Sequence, residues 1–279
     1  MSNKPLTLGT KSIGSLLLHY SLPAIIAMTA SSLYNMMDSM FMWHGIGSMA
    51  LAGLSATFPF MNLGAAFGAM VGAGASTVVS VKLGQQDYDS ANRAMGNVIL
   101  LNVGIGFLFS VICLLFLDPI LYFFGASDNT IGYARDYMVV ILLGNIITHF
   151  YLWLNSVLRS SGHPQQAMTA TIMTVVMNAV LTPIFIFVFG MGIRGAALAT
   201  ILAQLMTLIW QTKLLSNPNE LLHLQRGIYK LKGDIVKRIL RIGMSPFLIN
   251  TAACMVVIII NQGLRNNSVS TSDGDLSTA

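Results

Sequence analysis

"SLLLHYSLPAIIAMTASSLYNMMDSMFMW", residues 15–43, carries one formally charged side chain, Asp38, in an otherwise apolar run. A helix crossing a hydrocarbon core needs roughly 20 mostly apolar residues, and this stretch exceeds that. An aspartate well inside such a span costs about 2.5–3.5 kcal/mol on insertion scales. Two readings explain its presence: a carboxyl near the span end that reaches the interface, or an ion or proton site facing a polar cavity. Asn35 and Ser31 lie one and two turns before Asp38 on the same helical face, which favours the cavity. Burial there disfavours the charged carboxylate, making Asp38 a candidate proton carrier.

The rest of the 279-residue chain fits the same solvent. Only 9% of it is charged, against about 25% in soluble proteins, and mean hydropathy is strongly positive. Seven apolar segments are read as spans: 15–43, 50–81, 94–117, 133–158, 165–189, 195–215 and 243–263. The fold class is therefore an all-α polytopic membrane protein. The N-terminal run has no short apolar core with a small-residue cleavage site, so it reads as a retained span. Cys113 and Cys254 each sit in an apolar run and read as packing residues.

Of the fifteen Lys and Arg residues, all but Arg135, Arg194 and Arg265 fall on one side if the N-terminus is cytoplasmic. The positive-inside rule thus sets the orientation and accounts for the basic charge without a nucleic-acid partner. Residues 118–132 read as a polar turn. Residues 216–242 read as a basic, amphipathic, interfacial linker. Pro23 precedes Asp38 at the spacing with which Pro246 precedes Asn261, a weak internal repeat of the kind common in transporters. The expected organisation is a six-helix lobe over 1–215, the linker over 216–242, the first helix of a second lobe over 243–265 and a polar tail over 266–279.

Other spans also carry polar stripes. Thr174, Asn178 and Thr182 are spaced i, i+4, i+8, while Thr200, Gln204, Thr207 and Gln211 line one face of the sixth span. The fourth span holds Tyr137, Asn145, Thr148, His149 and Asn155. Singly, such groups serve as interhelical glue; with a buried acid they imply a polar interior cavity. His149 alone reads as a satisfied core histidine. Gly64, Gly68 and Gly72 form a ridge for close helix approach. The 18 Met residues suit either an adaptable cavity or lipid-facing surface. Pro23, Pro183 and Pro246 remove backbone donors and bend their helices. There is no GxxxxGK[ST] or HExxH motif, nor GxSxG, so neither an ATP-driven pump nor an intramembrane enzyme is indicated, and no cofactor is expected.

Several stretches together resemble the multidrug and toxic compound extrusion (MATE) transporters. "SLPAIIAMTASSLYNMMDSMFMWHGIGSMALAGLSATFP" is similar to that family's first helix, and "GAAFGAMVGAGASTVVSVKLGQQDYDSANRAMG" to its second helix and following loop. "LNSVLRSSGHPQQAM" resembles its Arg-x-x-Gly turn, and "GMGIRGAALATILAQ" the start of its sixth helix. The resemblance implies twelve helices in two lobes around a V-shaped cavity. It also implies exchange of H⁺ or Na⁺ for cationic or amphipathic drugs, in a bacterial inner membrane. By motif position it assigns the cation or proton site to Asp38, Asn178 and Thr200, with Tyr137 and Asn155 as further cavity members. Asn35 and Gln204 join them from the polar stripes.

Two departures qualify this. Many relatives carry an aspartate immediately before the fifth-span proline, where Thr182 stands here, so a two-carboxylate site becomes a one-carboxylate site. A hydroxyl can ligate Na⁺ but cannot release a proton near neutral pH, so protons are the favoured coupling ion through Asp38. The chain also ends soon after its seventh span, whose helix is expected to lack partners without the missing C-terminal lobe; the 279 residues read as a fragment. The alternatives are a lipid-linked sugar flippase of the same superfamily, for which the cavity lacks central Arg or Lys, and a non-transporting scaffold half.

Overall fold

The computed structural model describes residues 12–216 and 232–266, with side chains of the last helix described to residue 263. Its helices are α1 (Ile13–Gly45), α2 (Ser48–Gly84), α3 (Tyr88–Leu115), the short α4 (Leu117–Phe123), α5 (Ile131–Ser160), α6 (Pro164–Pro183), α7 (Gly192–Leu215) and α8 (Gly233–Asn266). A π-helical turn, Ile184–Val188, continues α6. Seven of these are long and apolar enough to span a membrane, so the chain is an integral, multi-pass membrane protein. All seven expected spans are present, most extended by a few residues at each end.

Two expectations change. Residues 118–132 hold more than a polar turn, because α4 begins there with Leu117 and Leu121 buried. The last helix starts at Gly233, ten residues before the expected span, so the end of the linker region is helical. The expected interfacial character of 217–231 and the polar tail from 267 lie outside the described residues.

Sharp local signals set the helix ends. Gly47 bridges α1 and α2 at φ +115°, a left-handed backbone that side-chain-bearing residues avoid. Asp87 caps α3 by accepting the Ser90 backbone N–H at 3.1 Å. It also accepts a 3.0 Å bond from Lys82. These bonds, from Ser90 first and then Lys82, hold its carboxyl at about 2. At the opposite ends of the helices, Arg135 pairs with Asp118 and Arg194 with Asp136.

α2 and α5 form the centre: 56% of each apolar stretch is buried, against 6% for α1. Two apolar clusters occupy their opposite ends. One gathers Leu54, Phe60, Leu121, Met138 and Leu142. The other gathers Val71, Val79, Met95, Trp153 and Leu158. Between them lies a polar belt. Asn145 donates to the Gly106 carbonyl and to Ser110 at 3.3 and 3.2 Å, and Ser110 donates to the Leu142 carbonyl at 2.9 Å. His149 is fully buried in this belt and faces the backbone at Gly64. By strict geometry its ring nitrogens complete no hydrogen bond among the described residues, although the Gly64 backbone lies within reach of the ring.

The expected glycine ridge is a packing surface. Gly64 faces Phe109, while Gly68 and Gly72 face His149 and Trp153 on α5. α8 is not partnerless: it packs along the length of α2. At their crossing a Cβ on Gly74 would collide with the Ile239 carbonyl, and one on Gly243 with the Met70 carbonyl. The Phe247 and Phe67 rings meet at a tilt, 4.9 Å between centroids, and Gln262 donates to the Phe123 carbonyl at 3.0 Å.

Candidate functional site

α1 leans on α6 and touches α7, which brings the polar stripes of three helices together. Asp38 is buried on α1, 6% exposed. The Thr182 hydroxyl of α6 lies 3.4 Å from Asp38 Oδ1 and 2.9 Å from Asn178 Oδ1. Asn178 Nδ2 donates to Thr200 Oγ1 on α7 at 3.0 Å. Thr200 donates to the Ala196 carbonyl at 3.2 Å, and the Tyr34 hydroxyl lies 3.2 Å from Thr200 Oγ1. The sequence Asp38–Thr182–Asn178–Thr200–Tyr34 is thus a continuous chain of hydrogen-bonding groups, begun by one carboxylate. Its ordering follows from helical spacing: Thr182 and Asn178 are one turn apart on α6, and Tyr34 and Asp38 one turn apart on α1.

Pro183 ends the regular part of α6, and the π turn follows at once. π turns commonly mark functional positions in helices. Here the turn seats the end of α1, because Gly45 faces Ile186 and Phe187; a Cβ at Gly45 would come within 2.5 Å of Ile186 Cγ2.

The remaining candidate residues divide. Tyr137 is buried beside Thr200, Tyr34 and Asp38. Gln204 accepts a 2.6 Å bond from Thr148. Asn155 belongs to a separate contact, donating to the Ala167 carbonyl and to Thr171 at 3.1 and 3.2 Å. Asn35 lines a cavity of ≈ 180 Å³ together with Ser31, Tyr34, Tyr151, Thr171, Thr174, Val175, Asn178, Thr200 and Gln204. No methionine lines it; Met28, Met36, Met37 and Met206 are exposed instead.

Tyr34, Tyr151 and Thr171 are absent from the sequence-based candidates. Tyr34 was recoverable from its i, i+4 spacing to Asp38. Tyr151 was recoverable in the same way, one turn from Thr148 and from Asn155 on α5. Among the described residues no three His, Cys, Asp or Glu side chains cluster. The donors around Asp38 are hydroxyl and amide oxygens, chemistry suited to a proton or a hard cation.

Comparison with known proteins agrees with this fold. The MatE family model matches residues 23–184. The multidrug export protein MepA of Staphylococcus haemolyticus (strain JCSC1435) is 27% identical over 90% of this chain and 55% of its own length. The MATE multidrug transporter DinF-BH superposes with a TM-score of 0.90 at 30% identity, over 99% of this chain and 62% of that one. An outward-facing MATE transporter of the MOP superfamily gives a TM-score of 0.86 at 26% identity, over 95% of this chain and 58% of that one. The chain spans about half the length of the curated relatives it matches. With more than half of its length inside the matched region, Asp38, Asn178 and Thr182 included, this chain belongs to the MATE family.

Proposed function

We propose that this chain forms the N-terminal, six-helix lobe and the first second-lobe helix of an ion-coupled exporter of cationic or amphipathic drugs. It sits in the plasma membrane with its N-terminus cytoplasmic, as its Lys and Arg distribution favours. Asp38 is the coupling group, and H⁺ is the ion. The observation that carries this reading is the bridging position of Thr182 between Asp38 and Asn178.

A threonine hydroxyl has a single proton to donate. When Asp38 is protonated, its own O–H can donate to Thr182, whose proton then serves Asn178. When Asp38 is ionised, the Thr182 proton turns to the carboxylate and Asn178 Oδ1 loses its donor. Protonation of one carboxyl on α1 thereby changes the hydrogen bonding of α6 and, through Asn178, of α7. A drug cation competes electrostatically with the proton for the same negative charge, which gives exchange.

The alternating order of these groups suits proton transfer better than a Na⁺ site made by Asp38, Asn178 and Thr200. Asn178 turns its nitrogen to Thr200 and its oxygen to Thr182, so the three do not converge as ligands. The cavity lining also holds no Lys or Arg for a lipid-linked phosphate, which speaks against the flippase alternative. The test is ethidium efflux from cells expressing the full-length protein that contains this chain. Asp38→Asn is expected to abolish gradient-driven efflux while membrane insertion persists; retained proton-driven efflux would remove the reading.

A further inference from the structure

The first turns of α8 change character along one face. Ile239 is fully buried where α8 crosses Gly74 of α2, and Ile235 and Ile242 pack beside it in the apolar cluster around Trp153. With that side fixed, helical geometry turns Lys237, Arg241, Met244 and Leu248 to the opposite side, at i, i+4, i+7 and i+11. All four are exposed, as is Arg238 on the flank. This side passes from cations to apolar residues within one turn and stays apolar through Met255 and Ile259. Such a change marks the level at which headgroups give way to hydrocarbon.

Two further cations are held beside this level. The buried Asn97 side chain of α3 accepts the Lys232 backbone N–H at 2.7 Å and donates to the Arg93 carbonyl at 2.8 Å. One amide thus ties the start of α8 to the first turns of α3, and Arg93 and Lys232 are both exposed. Against these five cations stand Asp89 and Asp234, the acids at this end among the described residues apart from Asp87, which Lys82 engages. None of the five cations forms an ion pair among the described residues. Covering them with more protein would desolvate unpaired charges, a heavy cost unless carboxylates match them. A membrane surface supplies the opposite charge without that cost, and long Lys and Arg stems reach it readily.

We propose that the start of α8 is a docking site for anionic phospholipid headgroups. Lys237, Arg238 and Arg241 hold the headgroup, Arg93 and Lys232 add to the positive field, and the acyl chains lie along Met244 and Leu248. Arginine suits this task because its planar fork pairs with phosphate oxygens two at a time. Since α8 is locked onto α2 at Gly74 and Gly243, a bound lipid fastens the whole first lobe to one leaflet. The inference is independent of the role of Asp38 and needs only the placement of α8 in a membrane.

The test uses the full-length protein with its native cysteines replaced, Cys113→Ser and Cys254→Ala among them, and a fluorophore on Met244→Cys. It is reconstituted in vesicles of phosphatidylcholine and phosphatidylglycerol, with one or the other lipid brominated in its acyl chains. Bromine quenches the fluorophore on contact, so the two quenching curves give the relative affinity of each headgroup beside Arg241. Phosphatidylglycerol should be preferred about fivefold or more. The triple variant Lys237→Gln, Arg238→Gln, Arg241→Gln should bring that preference close to one. Salt at about 1 M should do the same with the cations intact. A fluorophore on Leu108→Cys, exposed on α3 far from these cations, should show no preference.

Equal quenching by the two lipids at residue 244 would overturn the proposal. So would a preference that survives both the triple variant and salt, or one equally strong at residue 108. Quenching by neither lipid would mean that the rest of the protein covers this face, which overturns it as well. The salt arm alters none of the cations, so it decides the matter should the triple variant fail to fold.

Discussion

α1 and α8 are the two least buried spans of the molecule, and they are fastened by opposite means. α8 meets α2 backbone to backbone, with Gly74 and Gly243 clearing the carbonyls of Ile239 and Met70. α1 meets α6 and α7 through the side chains of Asp38, Tyr34, Thr182 and Thr200. Close glycine packing is short-ranged and intolerant of displacement. Interhelical hydrogen bonds in membranes average only about 0.6 kcal/mol and can be exchanged for water or for another partner. The structure therefore holds α8 rigidly and leaves α1, which bears the one buried carboxyl among the described residues, on replaceable contacts.

The comparison breaks most readily at the glycines. Gly74→Val and Gly243→Val should each destabilise α8 packing by about 3 kcal/mol or more, at the upper end of overpacking costs, read as a lowered melting temperature in detergent. Melting unchanged in either variant would refute the close backbone contact. Thr182→Val comes next. It leaves Asn178 Oδ1 without its donor at a cost of about 1–3 kcal/mol, yet the larger effect should fall on the pH dependence of efflux, which Thr182→Ser should restore. Equal behaviour of the valine and serine variants would reduce Thr182 to a packing residue.

A smaller effect tests the contrast from the other side. Gly64 faces only the Phe109 ring, 3.2 Å from a built Cβ. Because that ring can shift and alanine favours helix, Gly64→Ala should change stability by less than about 1 kcal/mol. The smallest effect belongs to the Asp87 cap. Its carboxyl is held at about 2 rather than 3.8 by Ser90 and Lys82, so its contribution is complete above about pH 4 and disappears as pH falls toward 2. The melting difference between the unaltered chain and Asp87→Asn should narrow across that window.

Much of this was legible in the sequence, for particular reasons. Seven apolar runs declare seven spans because the bilayer demands length and hydropathy. Asp38 stood out because the other acids avoid span interiors, and Asn178 and Thr182 followed from helical spacing. α4 was obscured because Asp118 and Pro119 give a polar, breaking appearance to a segment whose leucines are buried. The α2–α8 contact was illegible for a different reason: helices apolar on all sides carry no amphipathic mark of their packing face. Gly74 also lies off the Gly64–Gly68–Gly72 ridge, which faces other helices.

Proton release on drug binding tests the central claim most directly. Binding of a cationic drug to the purified full-length protein should be followed by calorimetry in buffers of different ionisation enthalpy. The account predicts that the observed heat depends on the buffer in the unaltered protein, reporting a released proton, and that the dependence vanishes in Asp38→Asn while binding remains measurable. The same buffer dependence in both proteins would contradict the assignment of Asp38 as the coupling group.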